Sequence, residues 1–213
     1  MSWETSIKGF KSYLRIERSL STNSVKAYIN DVKKFANYAI PLELNELKIN
    51  REDISEFLTT LQNDNISARS QARIISGIKA FYKYLIIENY IKYDPTELIE
   101  SPKVGFKLPD TLSLIEIDKL IATIDLSNKQ GERNRAILET LYSCGLRVSE
   151  LTNLKVSNIY FNEGYIKVIG KGDKERLAPI GGRALKYLTT YINEVRNHHV
   201  LPRQLVKLRK VAH

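Results

Sequence analysis

Two short stretches hold side chains whose type and spacing could do chemistry. In "LYSCGLRVSELTNLKVSNI", residues 141–159, an apolar helix-like run breaks at Gly145, and a short new helix starts over Arg147. The first turn of a helix favours acids, because its free N–H groups already carry positive partial charge. An arginine there makes the spot more positive still, and holding an anion, most often a phosphate, is its natural use. Glu150 follows three residues later, so it can share a helix face with Arg147. In "YIKVIGKGDKERLAPI", residues 165–180, Lys171 stands between Gly170 and Gly172 in what reads as a hairpin tip. Each stretch also has a plainer reading. Arg147 and Glu150 could be an ordinary exposed ion pair, which contributes little, and Lys171 could be a solvated turn residue. "GKGD" lacks the full phosphate-loop pattern and opens no helix, so it is set aside.

The elements that must position these residues follow from apolar spacing. Trp3, Ile7, Phe10 and Leu14 recur at helical intervals over 3–18, and Val25, Tyr28, Val32, Phe35 and Ala39 do so after the cap signals at Ser21–Ser24. Asn50, with Asp53 in the first turn, opens a third helix carrying Ile54, Phe57, Leu58 and Leu61. A fourth starts near Ser67 and carries Ile74, Ile78, Phe81, Tyr82 and Leu85. Short polar connections join the four as a bundle. The stretch 91–110 has Pro95, Pro102 and Pro109 and no sustained period, which predicts a linker. Beyond it, Ser113 and Glu116 have capping-box spacing ahead of Ile117, Leu120, Ile121 and Ile124. A helix over 132–143, a third from about 146, β texture punctuated by Gly164 and Gly172, and a last helix over 183–196 complete the second part.

The bulk numbers set bounds. The chain has 213 residues, 43% of them hydrophobic and 27% charged, the composition of a folded soluble protein of one or two domains. No apolar run could span a bilayer, the start "MSWETSIKGF" does not read as a secretory signal, and Cys144 as the single cysteine excludes an intrachain disulfide. A reducing compartment is therefore expected. Net charge is +9, but five of the cations lie from Arg196 onward with no acid among them, leaving an unremarkable +4 for the body. Local placement says more: Arg69, Arg73, Lys79 and Lys83 lie between Asn65 and Ile87 with no acid, a pattern that also suits a solvated helix face.

The run Gly-Leu-Arg-x-Ser-Glu-Leu at 145–151, followed at this separation by the Gly-Lys-Gly hairpin at 170–172, resembles the first half of the catalytic domain of tyrosine recombinases, the Xer type in particular. "LSTNSVKAYINDVKKF" and "SARSQARIISGIKAFYKYL" resemble the core-binding domain of the same family. The resemblance implies a fold that is mainly α in two domains: a four-helix, SAM-like core-binding domain over 1–90, then a truncated α+β catalytic domain with a small antiparallel sheet over 111–196. Residues 197–213 read as a basic tail that matches no family segment, either a rearranged terminus or a phosphate-gripping arm. Because the core-binding segment begins at residue 3, no arm-binding domain of the phage type is expected ahead of it.

The family cuts DNA with a tyrosine and reseals it. The resemblance puts Arg147 at the first of two arginines that clamp the scissile phosphate, where a planar, permanently charged fork can hold two phosphate oxygens. It puts Glu150 at an acidic position that braces the site, and Lys171 at the lysine that protonates the leaving 5′-hydroxyl. Nearby cations would lower that amine from about 10.4 toward a usable acid. Helices two and four would approach the major groove, with Ser67, Arg69, Ser70, Arg73 and Lys79 as contacts, mostly to phosphates. The implied partners are double-stranded DNA and further recombinase protomers in a tetramer, in which a second Xer-type recombinase can take part. No metal and no cofactor is implied, and a bacterial cytoplasmic, nucleoid-associated setting is expected. The family's His-x-x-Arg motif and nucleophilic tyrosine have no match: the histidines are His198, His199 and His213, none with an arginine three residues on. Tyr187 and Tyr191 fall where packing on an amphipathic helix is expected. A C-terminally incomplete recombinase is therefore expected, or a non-catalytic fragment that binds DNA or interferes.

Overall fold

The computed structural model describes residues 2–105, 108–170 and 172–196, which divide into two units, Met1–Leu108 and Pro109–His213. In the first, four helices form: α1 (Trp3–Ile16), α2 (Thr22–Ala39), α3 (Arg51–Asn63) and α4 (Ala68–Ile87). Each begins where a polar side chain caps it. Ser2, Ser21, Asn50 and Ser67 accept the N–H of the residue three further on, at 3.4, 3.2, 2.9 and 3.4 Å, satisfying donors that have no partner inside the helix. Asp53 reciprocates by accepting the Asn50 N–H at 2.9 Å.

The apolar faces of these helices close on an aromatic core. Trp3 meets Phe35 edge-on at 5.6 Å and stacks with Phe81 at 6.0 Å, while Phe10 meets Phe81 edge-on at 5.5 Å. The indole N–H of Trp3 donates to the Leu44 carbonyl at 2.9 Å, so the ring is buried with its one polar atom satisfied. Buried Glu46 accepts from Ser6 Oγ at 3.0 Å. Helices α2 and α4 approach closely at Gly77, where a Cβ would lie 2.6 Å from that of Asp31. One turn away, Asp31 pairs with the Arg73 guanidinium. The stretch expected to be a linker departs from that expectation up to Ile99. Ile99 is buried in this core, Ile91 packs on it, and Thr96 is buried with its N–H and hydroxyl both donating to Asp94. Helix α4 ends at Ile87, and the chain beyond it stays attached through Pro95 because Ile91 and Ile99 supply apolar surface to bury.

The second unit contains α5 (Leu114–Ala122), α6 (Lys129–Cys144), α7 (Val148–Thr152), a short 3-10 turn at Val156–Asn158, strands β1 (Ile159–Tyr160), β2 (Tyr165–Ile169) and β3 (Glu175–Pro179), and α8 (Gly182–Thr190). The expected final helix changes pitch: from Tyr191 to Arg196 it continues as a π-helix. The reciprocal Ser113–Glu116 cap forms as its spacing predicts. The strands make an antiparallel sheet in the order β1-β2-β3, with Ile166 opposite Ala178 and Val168 opposite Arg176. Residues directly opposite share a face, so Ile166, Val168 and Ala178 turn toward α6 and α8, where they are buried with Ala136, Ala184 and Leu188. Arg183 fastens α8 to its neighbours, donating to Glu139 of α6 and Asp118 of α5, both at 2.7 Å. Leu114, Ile115, Leu120 and Tyr142 stay exposed along α5 and α6.

Candidate phosphate-binding site

Helix α6 stops at Gly145, whose φ of +56° is the left-handed conformation that glycine adopts without strain. That break lets the chain turn and start α7 within three residues, and it brings Arg147 to the cap position and Glu150 to the first turn. Glu150 is the centre of the site. Its side chain is only 2% exposed, and a buried carboxylate needs donors. Three arrive. Oε2 accepts the Arg147 backbone N–H at 2.9 Å and Nη2 of Arg176 at 2.8 Å, and Oε1 accepts Nη1 of Arg147 at 2.9 Å. The Arg147 N–H, helped by the two guanidinium groups, holds the carboxyl below the usual carboxylate range. Glu150 is thus ionised at neutral pH and cannot serve as a proton donor there; its work is to orient. Arg147, by contrast, is 69% exposed and spends one of its five N–H donors on Glu150. Two arginines on one carboxylate leave a net positive charge at the surface.

The hairpin reaches the same carboxylate. A Cβ on Gly170 would lie 3.2 Å from Glu150 Oε1, and the Gly170 N–H donates to the Lys174 carbonyl at 2.8 Å to close the tip. Gly172, with φ of +74°, takes the turn. Lys171 itself lies outside the described residues, as does the expected tail at 197–213; its neighbour Gly170 abuts Glu150. Arg147, Glu150 and the residue before Lys171 therefore meet. The plain Arg147–Glu150 pair considered from sequence does form, but with a buried carboxylate and an exposed guanidinium rather than two solvated groups.

Arg176 was missed. The signal was present in the alternation of β3, where Arg176 shares the inner face with Ala178 opposite the apolar residues Val168 and Ile166. A charged residue in an inward register needs a buried counter-charge. Tyr187 and Tyr191 pack on the second unit's core, with Arg135 lying 4.1 Å over the Tyr187 ring, as expected of packing residues.

In the first unit the residues proposed to touch DNA divide. Ser67 is occupied as the α4 cap, and its Oγ donates to Ser70 Oγ at 3.1 Å. Arg69 is exposed and Lys79 half-buried. Arg73, which shares a helix face with Arg69, is committed to Asp31, whose side chain is 3% exposed. Burial pushes the Asp31 carboxyl up and Arg73 pulls it down. Arg73 is therefore first a tie between α2 and α4, with its side chain still 50% exposed.

The family model for the phage integrase N-terminal SAM-like domain matches residues 7–89, and that for the phage integrase family matches residues 111–210. Tyrosine recombinase XerD of Staphylococcus aureus is 42% identical over 194 residues, 91% of this chain and 66% of the relative. The chain belongs to the tyrosine recombinase family. XerD of Staphylococcus haemolyticus is likewise 42% identical over 195 residues, covering 91% of the chain and 66% of that protein, so the chain spans just under two thirds of these relatives' length. The second family match runs to residue 210, so residues 197–210, expected to match no family segment, fall within it. Among solved structures, a lambda integrase tetramer bound to a Holliday junction has a TM-score of 0.68 at 20% identity, covering 87% of this chain and 53% of that one. The XerH site-specific recombinase bound to palindromic difH substrate has a TM-score of 0.65 at 21% identity over 87% and 57%. These two share the recombinase fold. Among the described residues no helix is long and apolar enough to cross a membrane.

Proposed function

We propose that this chain acts on double-stranded DNA as a site-specific recombinase of the Xer type, with Arg147 as a clamp on the scissile phosphate, Glu150 as its brace and Lys171 as the acid for the leaving 5′-hydroxyl. The observation that carries the reading is the buried Glu150 carboxylate, which accepts the Arg147 backbone N–H and one N–H of its exposed guanidinium, at the family's arginine position. A fixed donor fork of this kind can stabilise the charge that builds on a phosphate during in-line displacement. Ser67, Arg69, Ser70 and Lys79 supply backbone contacts from the first unit, and Arg73 adds the exposed side of its guanidinium. The working assembly is a tetramer of recombinase protomers on DNA, to which a second Xer-type recombinase can contribute, in a bacterial nucleoid setting.

A second reading has a specific observation behind it. Residues 1–213 contain no His-x-x-Arg motif, and the two tyrosines after the hairpin, Tyr187 and Tyr191, are packing residues. On that reading the chain binds DNA without cutting it, or interferes with a complete recombinase. Loss of one charge-stabilising donor typically costs ~10²–10³ in rate, and loss of the nucleophile removes the covalent route. The test is a nicked suicide substrate run on a denaturing gel. The chain alone should give no protein–DNA adduct. An adduct formed on adding the rest of a recombinase catalytic domain in trans, and lost in Arg147→Ala, supports the recombinase reading. An adduct abolished by Tyr187→Phe or Tyr191→Phe would overturn the site as drawn. DNA binding with no adduct in either setting leaves the binding role.

A further inference from the structure

We infer that Arg176 is a second phosphate ligand of this site, placed beside Arg147 by the carboxylate they share; this rests on the reading of Arg147 as a phosphate clamp. Glu150 offers one oxygen to each guanidinium, Oε1 to Arg147 and Oε2 to Arg176. The two cationic planes are therefore anchored to oxygens of a single group. One carboxylate cannot neutralise two guanidinium groups, and each arginine has unused N–H donors. Arg176 is 40% exposed, so those donors reach solvent.

The position of Arg176 in the sheet separates it from an ordinary surface cation. It lies on the inner face of the hairpin, opposite buried Val168 and two residues from buried Ala178. Its stem runs along apolar surface while its head emerges at Glu150. A brace for Glu150 alone would need no exposed head, because Arg147 already donates to both oxygens. The surplus is one positive charge with free, forked donors, the arrangement that suits a phosphodiester oxygen adjacent to the one Arg147 holds.

The test compares salt dependence of binding to a short duplex for the full chain and for Arg176→Gln, Arg176→Lys and Arg147→Gln. Each phosphate neutralised contributes about 0.9 to the slope of log affinity against log salt. Arg176→Gln should bind more weakly and lower the slope by about that amount, and Arg176→Lys, which keeps the charge, should restore it. An unchanged slope in Arg176→Gln, with Arg147→Gln lowering it, would confine Arg176 to bracing Glu150 and overturn the inference alone. If Arg147→Gln also leaves the slope unchanged, the phosphate is not at this site and the proposed function fails with it. Should Arg176→Gln not fold, the unmodified chain decides: the side-chain Nε–H resonances of Arg147 and Arg176 should both shift on adding the duplex, and movement of Arg147 without Arg176 refutes the proposal.

Discussion

Replacing Arg73 with Ala should cost far more stability than a surface cation would. The change leaves Asp31, 3% exposed, without its guanidinium partner in the crevice between α2 and α4. Stranding one half of a buried pair costs roughly 3–5 kcal/mol. Here the Arg73 side chain is half open to water, so the lower end applies, about 3 kcal/mol. For a unit of this size that lowers the melting temperature by ~10–20 °C. The loss depends on pH with a definite sign. Burial already holds the Asp31 carboxyl above its ordinary value with Arg73 in place, and without Arg73 only Lys34 is left to oppose burial, so the folded-state pKa rises further above the unfolded value of about 3.9. The folded variant then binds the proton more readily, so the penalty is full above the variant's pKa and fades as pH falls through it to the smaller raised value of the unmodified chain. Urea melts of the full chain followed by circular dichroism at several pH values measure this. Adding Asp31→Asn to Arg73→Ala removes the stranded charge and should recover most of the loss. A single-variant cost under about 0.5 kcal/mol, the range of ordinary surface changes, would refute the tie between the helices. So would a second substitution that recovers nothing.

Gly77→Ala should destabilise the first unit by about 1–3 kcal/mol, because a Cβ 2.6 Å from that of Asp31 forces α2 and α4 apart, outweighing the roughly 1 kcal/mol gain in helix propensity; a stabilised variant in the same melts would contradict the close approach. Glu150, with its pKa held down, contributes stability that is present above the unfolded value of about 4.3 and is lost as pH falls through the folded value. The difference in urea midpoint between the unmodified chain and Glu150→Gln should therefore be largest at neutral pH and shrink below about pH 4, and a pH-independent difference would count against the ionised carboxylate. In limited proteolysis the second unit should be cut before the first, since Leu114, Ile115, Leu120 and Tyr142 remain exposed while the first unit buries Trp3, Phe10, Phe35 and Phe81 together; equal resistance would show that those faces are covered.

Local chemistry made much of this molecule legible from residues alone. Ser21, Asn50, Ser67 and Ser113 announced their helices because an N-cap acts over three or four residues and needs no distant partner. The two-residue alternation Ile166–Val168 set the inner face of the sheet for the same reason. The spacing of Arg147 and Glu150 put them on one turn, and the glycines on either side of Lys171 marked the hairpin tip.

What could not be read locally were the partners of charge. Arg73 looked like a free cation on a basic face, because nothing in its neighbourhood along the chain reveals Asp31, 42 residues away. Nothing near Arg176 along the chain reveals Glu150, 26 residues before it, which supplies its counter-charge. Ile99 looked like part of a linker until the helical core offered it a place to bury. Sequence by itself determined the helices, their caps and the sharing of one turn by Arg147 and Glu150, since these depend on hydrogen bonds and periodicities within a few residues. Packing decided which charges are spent inside the fold and which face outward, because burial and ion pairing depend on distance in space, and that is set only when the helices and the sheet close on one another.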